Sequence, residues 1–221
     1  IARFDRSESR RRLDVWRCLA LLSLTCALAP STCARADDVS SRFGRAGQLA
    51  PFGAVGAWLT LGDQASKVKR DFALGGSPGL WLFPVDNLAL GVALHGYYGR
   101  YALTFSPYSE AEIGASVGCG FNLPLQDLLS LFPRVWVGAG YLTQTVQLPS
   151  IPNFRDPSFT LPSSRTSSEF YGSVELQVPL LFELATTTFL EVGPFGRFRM
   201  ANETSSNSLR FGLFASIGRV F

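Results

Sequence analysis

The chain has 221 residues, of which 47% are hydrophobic, 13% aromatic and only 17% charged. That length is enough for one domain with a core, and the charged fraction is below the roughly 25% that is usual in soluble domains. The formal net charge is +3, but residues 1–36 contribute seven basic and three acidic residues. The remaining chain carries −1, so nucleic-acid binding has no electrostatic support.

The first segment has the pattern of a secretory signal peptide. Arginines at 10–12 precede an apolar stretch at 18–29, and small residues at 34–36 have the spacing of a cleavage site. The apolar stretch is shorter than the roughly 20 residues that a membrane-spanning helix needs. We therefore predict a cleaved signal peptide over residues 1–36 and a short periplasmic segment over 37–47.

From residue 48 onward, large apolar residues alternate with small or polar ones at a period of two, which is typical of β-strands. The pattern predicts eight strands, at 49–61, 71–83, 88–98, 110–123, 135–145, 169–178, 188–198 and 209–221. Long polar connections alternate along the chain with connections that are generally shorter and more apolar. The long connections are 62–70, 101–109, 149–168 and 199–208, and the shorter ones are 84–87, 124–133 and 179–187.

This order of connections is what an up-and-down meander requires, and long loops at one end with short turns at the other are typical of outer-membrane barrels. One face of the strands is rich in Leu, Val, Ile and Phe and poor in charge, which suits lipid. The other is mostly Gly, Ser and Ala, which suits the narrow lumen of about eight strands. We predict an all-β fold: an eight-stranded antiparallel up-and-down transmembrane β-barrel over residues 48–221.

Two stretches of the chain carry short motifs of a known family. Residues 72–101 contain Ser77-Pro78 and the passage DNLALG at 86–91, and residues 209–221 end on the aromatic Phe221. In these features the chain resembles the family of small outer-membrane β-barrel proteins. The resemblance implies an eight-stranded barrel in the outer membrane, with Phe221 as a signal for the assembly machinery. Arg219 departs from the pattern, since the family usually has an aromatic or apolar residue there.

Charged residues on the lumen face predict an internal ion network. Glu112, Glu169, Arg197 and Arg210 are expected toward the loop end, His95 near mid-depth, and Glu175 and Glu191 toward the turn end. Neighbouring strands place Glu175 near Glu191 and Arg197 near Arg210, so partners of opposite charge are expected across the barrel. The network either plugs the lumen or lines a selective or gated pore.

His95 is the only histidine and is expected on the lumen face of the third strand. One interpretation makes it the base of a lipid-modifying barrel enzyme; lipid A deacylases use a His with a Ser two residues later, where this chain has Tyr97. The other is a hydrogen-bonded structural His. We expect no enzyme activity, no catalytic residue, no cofactor and no metal site. Most Trp and Tyr residues are expected in girdles at the membrane interfaces.

These features predict a monomeric outer-membrane protein, exported by its signal peptide. Its role is structural or adhesive through the long loops, or weakly porin-like. The expected partners are outer-membrane lipid and lipopolysaccharide and the outer-membrane assembly machinery, together with an extracellular partner that the sequence does not identify. Two alternatives stay open: a soluble periplasmic lipocalin-like carrier of small ligands, and the lipid-modifying barrel enzyme.

Overall fold

A computed structural model describes residues 43–61, 69–102, 107–147, 164–201 and 207–221, and the predicted signal peptide lies outside them. The regular elements in these ranges are all strands. They are β1 Leu49–Leu61, β2 Lys69–Val85, β3 Leu88–Ala102, β4 Pro107–Phe121, β5 Leu123–Gln126, β6 Leu129–Leu131, β7 Arg134–Gln147, β8 Ser164–Gln177, β9 Leu180–Ala185, β10 Thr188–Ala201 and β11 Ser208–Arg219. Within the described ranges, no helix is long and apolar enough to cross a membrane.

The eight long strands form a closed ring. Its order is β1, β2, β3, β4, β7, β8, β10 and β11, and β11 pairs back with β1. All neighbouring strands are antiparallel. The predicted eight-stranded up-and-down barrel is therefore confirmed. Closure leaves no free sheet edge along these strands, as a barrel in lipid requires.

The three short strands are continuations of long ones. Leu123 pairs with Leu131 in the register that pairs Gly120 with Arg134 on β4 and β7. In the same way β6 and β9 continue the pairing of β7 and β8, and β9 continues that of β8 along β10. The predicted turns over 124–133 and 179–187 are thus too long. The actual turns are 127–128 and 186–187, because the prolines in these stretches interrupt the hydrogen-bond ladder without ending the strand.

The two faces of the strands differ as the alternation predicts. On β3, Leu88, Leu90, Val92 and Leu94 are 37–59% exposed, whereas the residues between them are buried. From Leu88 to Tyr98 the outer face covers roughly 33 Å along the strand, or roughly 25 Å in height at a tilt of about 40°. That is the height of the apolar band of outer-membrane barrels.

The last strand keeps its predicted register. Arg219 pairs with Thr188 at the end of β10, and Leu209, Phe211, Leu213 and Ile217 are exposed on the outer face. The guanidinium of Arg219 lies 5.4 Å from the centre of the Phe221 ring. Arg219 therefore lies at the turn-end rim of the barrel, where a long cationic side chain reaches the headgroup region.

Candidate functional site in the barrel lumen

A cluster of five buried charged residues, here called the Arg–Glu layer, fills the lumen toward the loop end. It consists of Glu110, Glu112, Arg197, Arg199 and Arg210, which are all at most 4% exposed. Both glutamates lie on β4, four strands away from β11 in the ring of eight. The acidic and basic residues thus meet across the lumen from opposite walls.

Glu112 is the centre of the layer. Its Oε1 accepts hydrogen bonds from Arg199 Nη1 at 2.5 Å and Arg210 Nη1 at 2.6 Å, and its Oε2 lies 3.1 Å from Arg197 Nη2. Glu110 forms ion pairs with Arg199 and Arg210 as well. Arg197 and Arg210 are direct register neighbours on β10 and β11, and the carboxylate of Glu112 lies between their guanidinium groups and neutralises part of their charge.

Sequence reasoning missed Glu110, the first residue of a predicted strand, and Arg199, one residue beyond the end of another. Arg199 fell in the predicted loop 199–208, whereas β10 continues to Ala201. The signal was present in the sequence, because Arg199 is two residues beyond Arg197 and therefore on the same face of the strand.

A second ion pair lies toward the turn end. Arg134 at the start of β7 donates to both carboxylate oxygens of Glu191, at 2.7 and 2.9 Å. Four aromatic rings surround the Arg134 guanidinium at 5.1–5.9 Å, namely Phe52, Trp81, Phe132 and Phe214. Guanidinium groups stack well on aromatic faces, so this end of the lumen is filled by an ion pair inside an aromatic shell.

The expected proximity of Glu175 and Glu191 does not occur. The register of β8 and β10 sets Glu175 opposite Arg197, and Glu191 is opposite Leu181 on β9. Since β8 continues into β9, the two glutamates lie at different levels of the barrel. Glu175 instead accepts a hydrogen bond from Gln177 and lies 3.9 Å from Arg197.

His95 is hydrogen-bonded in the middle of the lumen. Its Nε2 lies 2.8 Å from the Tyr171 hydroxyl, which also accepts from Arg197 Nη2 at 3.3 Å. The Tyr97 ring lies 5.3 Å from the His95 ring and 4.5 Å from the Arg197 guanidinium. Glu169 lies on the same face of β8 as Tyr171, opposite Leu142. The described residues contain no cluster of side chains that would hold a metal ion.

Several aromatic residues expected in the interface girdles lie in the lumen instead. Trp81, Trp136 and Tyr171 are 0%, 6% and 1% exposed. The lumen holds these large rings because glycines face them: a methyl group added at Gly91 would lie 2.5 Å from the Trp81 ring, and one at Gly118 would lie 2.5 Å from the Trp136 ring. Tyr141, by contrast, is 63% exposed on the outer face. The side chains of Trp58, Tyr101 and Tyr108 lie outside the described residues.

Residues 43–48, here called the turn-end segment, close the turn end of the lumen, opposite the Arg–Glu layer. Phe43 is 3% exposed, and its ring packs against Phe83, Phe132 and Phe189 at 4.8–5.2 Å. The Asn122 side chain donates a hydrogen bond to the Phe43 carbonyl. The backbone amide of Asn87 donates to the Gly44 carbonyl. The described part of the predicted periplasmic segment 37–47 is therefore packed into the barrel mouth.

Between the two filled ends lies a small cavity. Its lining is mixed and includes Ser77, His95 and Gln177 beside Phe52 and Trp136. The cavity volume is about 30 Å³, enough for roughly two water molecules. The arrangement suits bound water rather than a passing solute.

Comparison with solved structures finds similar barrels at low sequence identity. Ail, the attachment invasion locus protein of Yersinia pestis, is 10% identical over 79% of this chain and 99% of its own, with a TM-score of 0.47. Neisserial surface protein A is 14% identical over 79% and 97%, with a TM-score of 0.45. The outer membrane protein OprG from Pseudomonas aeruginosa is 10% identical over 83% and 99%, with a TM-score of 0.41.

Neither the protein-family models nor the curated protein sequences contain a match to the chain. The barrel fold follows from the pairing of its own strands, which closes a ring of eight.

Proposed function

We propose that this chain is an integral outer-membrane β-barrel protein with a closed lumen, and that its role is structural or adhesive through its long loops. The observation that carries the proposal is the combination of an apolar outer belt with a lumen filled by buried side chains. Large apolar side chains such as Leu94, Ile113 and Leu213 are 59–65% exposed. A water-facing surface of that kind would be an aggregation hazard, whereas lipid accommodates it.

The filled lumen favours a structural barrel over a pore. The Arg–Glu layer joins β4 to β10 and β11, and the pair of Arg134 and Glu191 is enclosed in aromatic rings. Eight-stranded barrels are just wide enough for side chains to fill them. Of the two interpretations of the ion network, the geometry therefore supports the plug.

The same geometry argues against both alternatives. A lipocalin-like carrier needs a roomy interior and a polar exterior, but here the cavity is small and the exterior is apolar. A lipid-modifying enzyme needs its base where lipid can reach it. His95 is 5% exposed and bonded to Tyr171 inside the lumen.

The proposal is tested first by expressing the chain with residues 1–36 and isolating outer membranes. We expect a band in that fraction whose mobility on a denaturing gel changes on boiling, because closed barrels stay folded in unheated detergent. A soluble periplasmic protein without a mobility change would contradict it. In planar bilayers the purified barrel should show no stepwise conductance, and regular ion-conducting steps would refute the closed lumen.

The adhesive part of the proposal needs a separate test. Replacing residues 148–163, which lie between β7 and β8, with a Gly-Ser linker of equal length should leave the mobility change intact. If these residues are responsible for adhesion, cells that express the linker variant should no longer bind to host-type surfaces. Unchanged binding would assign adhesion to another part of the chain.

A further inference from the structure

On four successive strands of the ring, the outer face changes from apolar to polar near the loop end. On each of β3, β4, β7 and β8, the change falls between two consecutive residues of the outer face. It occurs between Tyr98 and Arg100, Ala111 and Ser109, Tyr141 and Thr143, and Phe170 and Ser168. In a membrane barrel, such a change marks the level of the lipid headgroups.

Four residues beyond this change form one continuous row, here called the Arg100 row. Register pairing joins Arg100 to Ser109, Ser109 to Thr145, and Thr145 to Thr166. Arg100 and Thr166 are exposed, and the hydroxyls of Thr145 and Thr166 lie 3.2 Å apart. The row therefore presents one guanidinium beside three hydroxyl groups on neighbouring strands.

The charge on this face has a single sign. Within the described residues of β3, β4, β7 and β8, the outer face has no Asp or Glu, and Arg100 is its one cationic residue. A guanidinium binds phosphate through two parallel hydrogen bonds. Hydroxyl groups such as those of Ser109, Thr145 and Thr166 match the hydroxyls of a sugar, whereas a phospholipid headgroup offers fewer hydrogen-bonding partners.

We propose that the Arg100 row binds the phosphorylated sugar headgroup of an outer-leaflet glycolipid, with Arg100 on the phosphate and the hydroxyls on the sugar. The inference rests on the proposed function, because it requires the loop end to lie in the outer leaflet. It goes beyond that function by assigning a ligand class to four named residues.

The chain offers a matched control for the cation. Arg165 is an exposed arginine on β8, next to Thr166, and it pairs with Val146 of β7. Since adjacent residues on a strand point to opposite faces, Arg165 lies on the lumen-side face. Arg165→Gln removes the same charge at a similar level of the barrel without altering the Arg100 row.

The experiment titrates purified, detergent-solubilised barrel with bisphosphorylated lipid A and measures the dissociation constant by native mass spectrometry. Wild type and Arg165→Gln should bind alike, and Arg100→Gln should bind about tenfold more weakly, the loss expected for one charged hydrogen-bonded contact. Dephosphorylated lipid A should bind wild type as weakly as the bisphosphorylated form binds Arg100→Gln. Equal affinity of wild type and Arg100→Gln would overturn the inference.

Two further arms make the result specific. Phosphatidylglycerol should compete poorly with lipid A, and equal competition would overturn the assignment to a glycolipid. If Arg100→Gln does not give the heat-modifiable band, Arg100→Lys takes its place, and affinity equal to wild type would then overturn the role of the guanidinium fork. A wild-type chain that forms no heat-modifiable barrel contradicts the proposed function. A folded barrel that binds lipid A independently of Arg100 contradicts only this inference.

Discussion

Three guanidinium groups converge on the Glu112 carboxylate. Burying charges costs free energy that only close pairing offsets, and Glu112 is the residue whose two oxygens contact all three arginines of the Arg–Glu layer. Its strand, β4, is held between β3 and β7 along its whole length, which fixes the carboxylate at this level. At the residue scale, Glu112 therefore organises the loop-end closure of the lumen.

We predict that Glu112→Gln destabilises the barrel by about 3–5 kcal/mol, because it leaves buried guanidinium groups short of a counter-charge. Glu175→Gln is the matched control. Glu175 meets a single arginine, Arg197, at 3.9 Å, which is longer than a hydrogen bond, so we expect a loss of only about 1 kcal/mol. Urea unfolding in lipid vesicles, followed by tryptophan fluorescence, measures both. Equal losses would show that Glu112 has no special role in the layer.

At the scale of elements, the turn-end segment ties together strands that are distant in sequence. Its Phe43 amide donates to Glu183 on β9, the Ala46 amide donates to Asp86, and the Gly47 amide donates to the Phe83 carbonyl on β2. Asn87 in the adjacent turn has a backbone φ of +65°. This lies in the left-handed region, which asparagine tolerates well. The segment thus belongs to the folded barrel and covers its aromatic interior.

We predict that Phe43→Ala costs about 3–5 kcal/mol of unfolding free energy, the range for removing a buried phenyl ring. Arg45→Ala is the control, because the Arg45 side chain is exposed and its backbone amide, which bonds to Gln48, is retained. Samples are heated to a series of temperatures before electrophoresis. The temperature at which the folded gel band disappears should fall for Phe43→Ala and stay near the wild-type value for Arg45→Ala. A Phe43→Ala band as heat-resistant as wild type would exclude the segment from the core.

At the scale of the whole molecule, the solvent on each side of the wall explains which residues the barrel uses. The outer belt is apolar over the thickness of a bilayer, and the charges are gathered inside, where they pair. Val117 lies at mid-height on the outer face of β4 and is 61% exposed. Ala111 lies on the same face near the loop end of the strand.

We predict that Val117→Arg destabilises the inserted barrel by about 2–4 kcal/mol, since a cation at the bilayer centre is poorly solvated, and that Ala111→Arg costs about 0–1 kcal/mol near the interface. Refolding into vesicles, measured as the fraction of heat-modifiable band, compares the two variants. If both refold equally well, the outer face of β4 does not meet the hydrocarbon core.

The alternation of residues was enough to predict the number of long strands, their order and the face on which most side chains lie. Leu90, His95 and Glu112 lie on the faces that the period of two assigns to them, because the pleat allows no other arrangement once the strands pair. The extents of the strands were less predictable. The stretches 124–133 and 179–187 both begin with a proline and were predicted as turns, but the neighbouring strands of the ring hold most of their residues in the sheet.

Only the tertiary structure decided which groups meet inside the lumen. Sequence reasoning identified Glu191 but neither Arg134 nor Phe43, since their contacts depend on strand register and on closure of the ring. The alternation of apolar and polar residues indicates which face of a strand meets lipid, because each residue's own polarity sets the environment that it prefers. Partners across the barrel depend on the shift between distant strands, which is fixed only when all eight have paired.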